Sequence, residues 1–250
     1  MKKSFAAIAG LLLATAATPT FAQDAAAEEE SGPITVSGGI SLVSDYRFRG
    51  VSLSGEDFAV QPTITVSHES GFYAGVWGSN LDDTPVYGEV EVDLYAGYNT
   101  ELAEGTNLDI GLIYYWYPDG TNAAGPSDYF ETIAKLSHDI GPVTATGTLG
   151  YSWSQASLGD SDNLYLGLGL STAIPNTPVT LVGSVGYTDG ALGALASGGN
   201  YLDWSLGADV AVGPATVGVR YIDTDIEKTG IPAADTLFDA AIMFSVGFTF

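Results

Sequence analysis

The chain has 250 residues, 46% of them apolar and 11% aromatic, with a formal net charge of −23 and no cysteine. That acidity leaves no basic face for a nucleic acid. The lack of cysteine removes disulfides, thiol catalysis and thiolate metal sites. High apolar and aromatic content beside the charge indicates a folded chain rather than a disordered one.

Read from the start, Lys2 and Lys3 precede an apolar run, Ile8–Ala17, and then Thr20-Phe21-Ala22. These are the three parts of a secretory signal peptide, expected over residues 1–22 with cleavage before Gln23. The run is too short for a spanning helix and ends at Pro19. Losing the two lysines takes the net charge to −25 over the remaining 228 residues. Residues 23–33 read as a short acidic periplasmic leader, and residues 34–250 as one folded domain.

After Ile34 no helical period persists. Segments of about ten residues alternate apolar and polar between turn residues, the pattern of membrane-spanning strands. Twelve are expected: Ile34–Phe48, Ala59–His68, Phe72–Asn80, Glu89–Asn99, Asn107–Tyr117, Asp128–His138, Val143–Trp153, Asn163–Thr172, Val179–Thr188, Asn200–Val210, Ala215–Thr224 and Leu237–Phe250. The fold class is therefore all-β, an antiparallel up-and-down transmembrane barrel. Connections after the even segments are short and rich in Gly or Pro, and those after the odd segments are mostly longer. That asymmetry places both termini at the periplasmic rim.

The two-residue period separates the faces. Leu164, Leu166, Leu168 and Leu170 oppose Tyr165, Gly167, Gly169 and Ser171, and the alternating Thr and Ser of Val143–Trp153 oppose its apolar residues. Tyr46, Phe48, Tyr114, Trp116, Tyr151, Trp153, Tyr187 and Tyr221 fall near the upper ends of odd segments, as an interfacial aromatic girdle would. In the last segment Ile242, Phe244, Val246, Phe248 and Phe250 share a face. Phe244, Val246, Phe248 and the terminal Phe250 resemble the signal by which the barrel-assembly machinery recognises its clients.

Several stretches are specific enough to suggest a family: SDYRFRGVSLS (Ser44–Ser54), HESGFYAGVWGSN (His68–Asn80), EVDLYAGY (Glu91–Tyr98) and YYWYPDG (Tyr114–Gly120), followed by Asp128-Tyr129-Phe130-Glu131. The chain resembles the proteobacterial Gcw_chp family, also called the TorF family of porins, from about Gly38 to the C-terminus. The resemblance implies an outer-membrane barrel with a porin role, an undefined substrate and no catalytic residues.

The alternation also supplies the candidate site. Asp45, Arg47 and Arg49, Glu89, Glu91 and Asp93, Asp109, Glu131 and Lys135, Asp203, Asp209 and Arg220 are expected on the inner face, because charge on the lipid face is costly. They would either line a pore as an electrostatic filter or brace a filled barrel wall through ion pairs. Arg47 and Arg49, two residues apart, would hold a carboxylate together, oriented by Asp45. The expected function is passive diffusion of small solutes or ions with weak cation preference. The alternative is a non-conducting structural or adhesive barrel acting through acidic loops (Asp82, Asp83, Asp160, Asp162, Asp223, Asp225, Glu227).

No enzyme activity, cofactor or metal site is expected. His68 and His138 are the only histidines, and neither has an obvious serine partner. The loop acids do not follow a calcium-loop spacing. Expected partners are outer-membrane lipid and lipopolysaccharide, the barrel-assembly machinery, and small solutes or ions, with no nucleic acid.

Overall fold

The computed structural model describes residues 32–121 and 125–250. The expected signal peptide, residues 1–22, and the leader as far as residue 31 lie outside them. Twelve long strands form a closed barrel: β1 (Ile34–Val43), β2 (Ala59–His68), β3 (Phe72–Thr84), β4 (Gly88–Ala103), β5 (Thr106–Trp116), β6 (Tyr129–Ile140), β7 (Val143–Gln155), β8 (Ser161–Ala173), β9 (Val179–Gly190), β10 (Asn200–Val212), β11 (Ala215–Thr224) and β12 (Ala241–Thr249). Each pairs antiparallel with its sequence neighbours, and β1 pairs with β12 from Gly39↔Thr249 to Val43↔Ser245. Closure is what lipid demands, since an open edge would leave backbone N–H and C=O groups unpaired in hydrocarbon. Among the described residues no helix is long and apolar enough to cross a membrane.

The expected faces are the observed ones. Leu166, Leu168 and Leu170, and Ile242, Phe244 and Phe248, are exposed on the outside of the barrel, while Tyr165 and Met243 are buried within it. Such a belt of exposed large apolar side chains belongs against lipid rather than water. Tyr114, Trp116, Tyr151, Trp153, Tyr187 and Tyr221 stand outward near the long-loop rim. Phe130 joins them, its ring 4.6 Å from Tyr114 and 5.9 Å from Trp153. The phenol tips of this girdle are hydrogen-bonded to acids near the rim: Tyr114 donates to Asp128 (3.0 Å), Tyr151 to Asp162 (3.0 Å) and Tyr221 to Asp223 (2.7 Å). Several loop acids are thus acceptors for the girdle.

The C-terminus completes the seam. Phe250 N–H donates to the Gly38 carbonyl at 3.0 Å, and Gly38 N–H to the Phe250 carbonyl at 3.1 Å. The Phe250 ring lies over Gly38, where a Cβ would stand 2.7 Å from its Cζ and 3.0 Å from the Thr63 carbonyl oxygen, so a side chain at this position would displace the ring. Deleting Phe250 removes both hydrogen bonds and the ring from the closing strand pair. The expected result is less heat-modifiable barrel in the outer membrane and faster periplasmic turnover. Wild-type barrel levels in the deletion would count against Phe250 as an assembly determinant.

Most strand ends shift by a residue or two from the sequence reading, β3 and β4 run four residues further, to Thr84 and Ala103, and two boundaries fall short of it by four or five. The last strand begins at Ala241, not Leu237, because a helical turn at Pro232–Asp235 occupies the preceding connection. Hydrogen bonds from the Thr229 hydroxyl (2.7 Å), the Thr229 N–H (2.7 Å) and the Gly230 N–H (3.1 Å) fix this turn and hold the Asp235 carboxyl below the usual carboxylate range.

The first strand ends at Val43, not Phe48. Beyond Ser44 the chain leaves the wall, and Arg47-Phe48 pairs instead with Val51-Ser52 in a hairpin of its own. Its two central residues, Arg49 (φ 51°) and Gly50 (φ 83°), both have positive φ, as a two-residue turn that matches strand twist requires. Asp45 ties the base of the hairpin, accepting from the Ser52 hydroxyl at 2.6 Å and from Arg47 Nε at 2.5 Å.

Candidate functional site

Residues 44–58 form a strap folded into the lumen from the long-loop rim. On one side the Tyr46 ring meets Trp77 of β3 edge-on at 5.4 Å, and Phe48 meets Tyr115 of β5 at 5.9 Å. At the tip, Arg49 Nη2 donates to both oxygens of Glu131 on β6, at 2.7 and 2.8 Å. Its guanidinium also covers the Phe48 ring (4.6 Å) and the Tyr165 ring of β8 (4.2 Å). From the opposite wall, the Tyr201 hydroxyl of β10 donates to the Arg49 carbonyl at 3.0 Å. Arg47 Nη1 reaches the Asp239 carbonyl (2.7 Å), and Ser52 N–H the Leu237 carbonyl (2.6 Å), in the connection before β12. The strap is held from both sides of the barrel.

The hairpin at its tip is buried to the degree of a protein interior, with Tyr46 2% exposed, Arg47 1% and Arg49 3%, while residues 55–58 are exposed. Arg49 keeps a backbone conformation that a residue with a Cβ rarely adopts, and the bidentate ion pair, the two rings and the Tyr201 hydrogen bond together fix it there.

The sequence-predicted residues separate into distinct groups. Arg47 and Arg49 do not share a strand face and do not grip one carboxylate, because the hairpin turn divides them: Arg47 pairs with Asp45 and Arg49 with Glu131. Tyr46 and Phe48 belong to the strap, not the girdle. Glu89 is exposed at the long-loop rim, since β4 has only just begun there. Glu91 and Asp93 are buried on β4, and Asp203 on β10. Below the strap, Arg220 donates to Asp209 at 2.6 Å, Tyr73 to Asp109 at 2.7 Å, and Lys135 stands opposite Asp109 in the β5–β6 register.

The interior therefore has two zones. Around the strap it is packed with aromatic and apolar side chains, among them Tyr46, Trp77, Ile113, Tyr115, Tyr129 and Met243. Towards the short-turn rim it is half-buried and rich in hydroxyls, with Ser137 paired to Thr146 (3.0 Å) and Ser184 to Ser205 (2.8 Å). The lumenal tyrosines are the interior residues that the charge-based list missed. Tyr115 carries the same parity on β5 as Asp109, which was the available signal.

His68 does have a serine partner: the Ser70 hydroxyl lies 2.7 Å from Nδ1, and the Ser70 N–H also donates to Nδ1 at 3.1 Å. Both contacts fall two residues on within one exposed turn, so they close the turn. His138 Nδ1 meets the Thr106 hydroxyl at 2.8 Å across β5–β6. Among the described residues no group of three or more His, Asp or Glu is placed to hold a metal ion.

The model of a family described as a bacterial protein of unknown function (Gcw_chp) matches residues 26–250. The chain belongs to the Gcw_chp family. No curated protein matches its sequence. Among solved structures, this Gcw_chp chain is similar to the NanC porin, with a TM-score of 0.57 at 11% identity over 86% of this chain and 99% of that one. It is also similar to the KdgM porin solved in complex with disordered oligogalacturonate, with a TM-score of 0.55 at 6% identity over 86% and 97% of the two chains. At these identities the likeness is one of fold. Together with the closed sheet, the apolar belt and the girdle, it makes this Gcw_chp member an outer-membrane β-barrel of the porin type.

Proposed function

We propose that the protein is a porin-like channel for passive diffusion of small solutes or ions, and that residues 44–58 form its throat. The observation that carries this reading is the placement of charge. Ionisable groups lie inside the closed sheet, on the wall and on a strap that crosses the lumen, and a hydroxyl-lined zone continues to the short-turn rim. Twelve strands fall between eight, where side chains fill a barrel, and sixteen, where an aqueous channel opens. Solutes passing such a throat meet its charges at short range in a low-dielectric setting.

Weak cation preference follows from the pairing pattern. Arg47, Arg49 and Arg220 are each matched to a carboxylate, and Lys135 faces Asp109. Glu91, Asp93 and Asp203 have no ion-pair partner among the described residues, and they set the net sign of the throat. Reversal potentials across a salt gradient test this. Arg47→Ala with Arg49→Ala is expected to raise the cation preference. Glu91→Gln with Asp93→Asn is expected to lower it, more than Glu89→Gln at the exposed rim. A strongly anion-selective wild type, or potentials untouched by either pair, would remove these residues from the conduction path.

The second reading, a non-conducting barrel acting through its acidic loops, has one observation in its favour: the strap is packed against both sides of the lumen. Under that reading the ion pairs brace the wall and the throat never opens.

A further inference from the structure

Glu91 and Asp93 are the least compensated charges in the barrel. Two residues apart on β4, both point inward, and they are 1% and 2% exposed. The side chains of Tyr46 on the strap, Tyr117 and Asp93 all lie close to Glu91. One oxygen of each, Glu91 Oε2 and Asp93 Oδ1, remains buried without any partner. Buried carboxylate oxygens almost always have a partner, so two orphans side by side call for one.

The cations among the described residues do not supply it. Arg47 is bound to Asp45, Arg49 to Glu131, Arg220 to Asp209 and Lys228 to Asp239, and Lys135 stands with Asp109 across β5–β6. The surroundings are oxygen donors and aromatic rings: the phenols of Tyr46 and Tyr117, with Tyr87 tilted against Tyr117 at 4.6 Å and Trp77 beside Tyr46 at 5.4 Å.

We propose that Glu91 and Asp93, with the phenol oxygens of Tyr46 and Tyr117, form a binding subsite for a hard divalent cation such as Ca2+. Two carboxylates match a charge of +2, and an all-oxygen donor set selects hard cations over softer transition metals. Because Tyr46 lies on the strap and Glu91 on the wall, an ion bound here joins the two and steadies the closed throat. The site deepens the channel reading and rests on it for its place beside a conducting path. The binding itself is measurable without any current.

The test uses the refolded barrel in detergent, free of lipopolysaccharide, with folding of every variant checked by heat-modifiable migration. Unfolding temperature is recorded in EDTA and in Ca2+, and Tb3+ emission is read under excitation of Trp77 and the neighbouring tyrosines. In the wild type, Ca2+ is expected to raise the unfolding temperature and Tb3+ emission to rise severalfold. Both responses should vanish in Glu91→Gln with Asp93→Asn, weaken in Asp93→Asn alone, and persist in Asp82→Asn with Asp83→Asn at the exposed rim. The double variant should also unfold at a higher temperature than wild type in EDTA, since it no longer buries uncompensated charge. Equal unfolding temperatures for the wild type in EDTA and Ca2+, with Tb3+ emission no greater than in the double variant, would overturn the site and leave a shared proton as the occupant. A barrel that binds Tb3+ but passes no current keeps the site and loses the channel, and a conducting barrel that binds none does the reverse.

Discussion

Arg49→Ala is expected to raise single-channel conductance several-fold over wild type. The substitution removes the bidentate contact to Glu131 and the guanidinium lying between the Phe48 and Tyr165 rings. Breaking a buried ion pair by deleting one partner costs about 3–5 kcal/mol, much of it from the carboxylate left behind. Here that cost falls on the closed position of the strap, because Glu131 regains solvation once the strap moves out. The wall loses no ladder hydrogen bond, so the barrel itself should still fold and migrate as a heat-modifiable species. Glu131→Gln should act in the same direction and more weakly, since a glutamine still offers one acceptor to Nη2. Unchanged conductance in both variants, with the barrel intact, would mean that the strap is a fixed plug.

Leu166→Arg should destabilise the barrel by about 2–4 kcal/mol, the range for a cationic side chain at mid-bilayer on the lipid face. Leu166 sits on the exposed apolar face of β8, with Leu168 and Leu170 following at the same parity. The matched control is Gly169→Ser on the inner face. An added Cβ there has its nearest neighbour at 3.9 Å, whereas at Gly167 it would press on the Tyr165 ring at 3.1 Å. Gly167→Ser, the mild change on parity alone, is therefore the less clean control. Unfolding of the refolded proteins in urea and lipid vesicles reads the difference. Equal and small effects at positions 166 and 169 would contradict the face assignment.

The barrel was legible because strand periodicity is a local signal with a single geometric meaning. Side chains two apart share a face, and lipid forces the apolar set outward. Leu164 to Leu170 and Ile242 to Phe250 therefore assigned the wall without any tertiary information. The strap was not legible for a related reason. Asp45 and Arg47 continue the parity of Ser41 and Val43, and alternation does not reveal whether a neighbouring strand is there to pair with. The turn that redirects the chain is Arg49-Gly50, and arginine is an unusual first residue for a turn needing two positive φ angles. Its conformation is fixed by Glu131, 82 positions away. The Asp45–Arg47 contact, two residues apart, was within reach of sequence reasoning, but the Arg49–Glu131 contact was not. Tyr46 and Phe48 were misassigned to the girdle by the same error of parity.

Whether the lumen conducts, with residues 44–58 as its throat, is tested most directly by single-channel recording in a planar bilayer, on the wild type and on a variant with residues 45–57 replaced by a short Gly-Asn turn. Small, discrete steps are expected for the wild type and much larger steps for the strap-deleted barrel, with both proteins heat-modifiable. Silence from both, or steps of equal size, would contradict a conducting lumen with that throat.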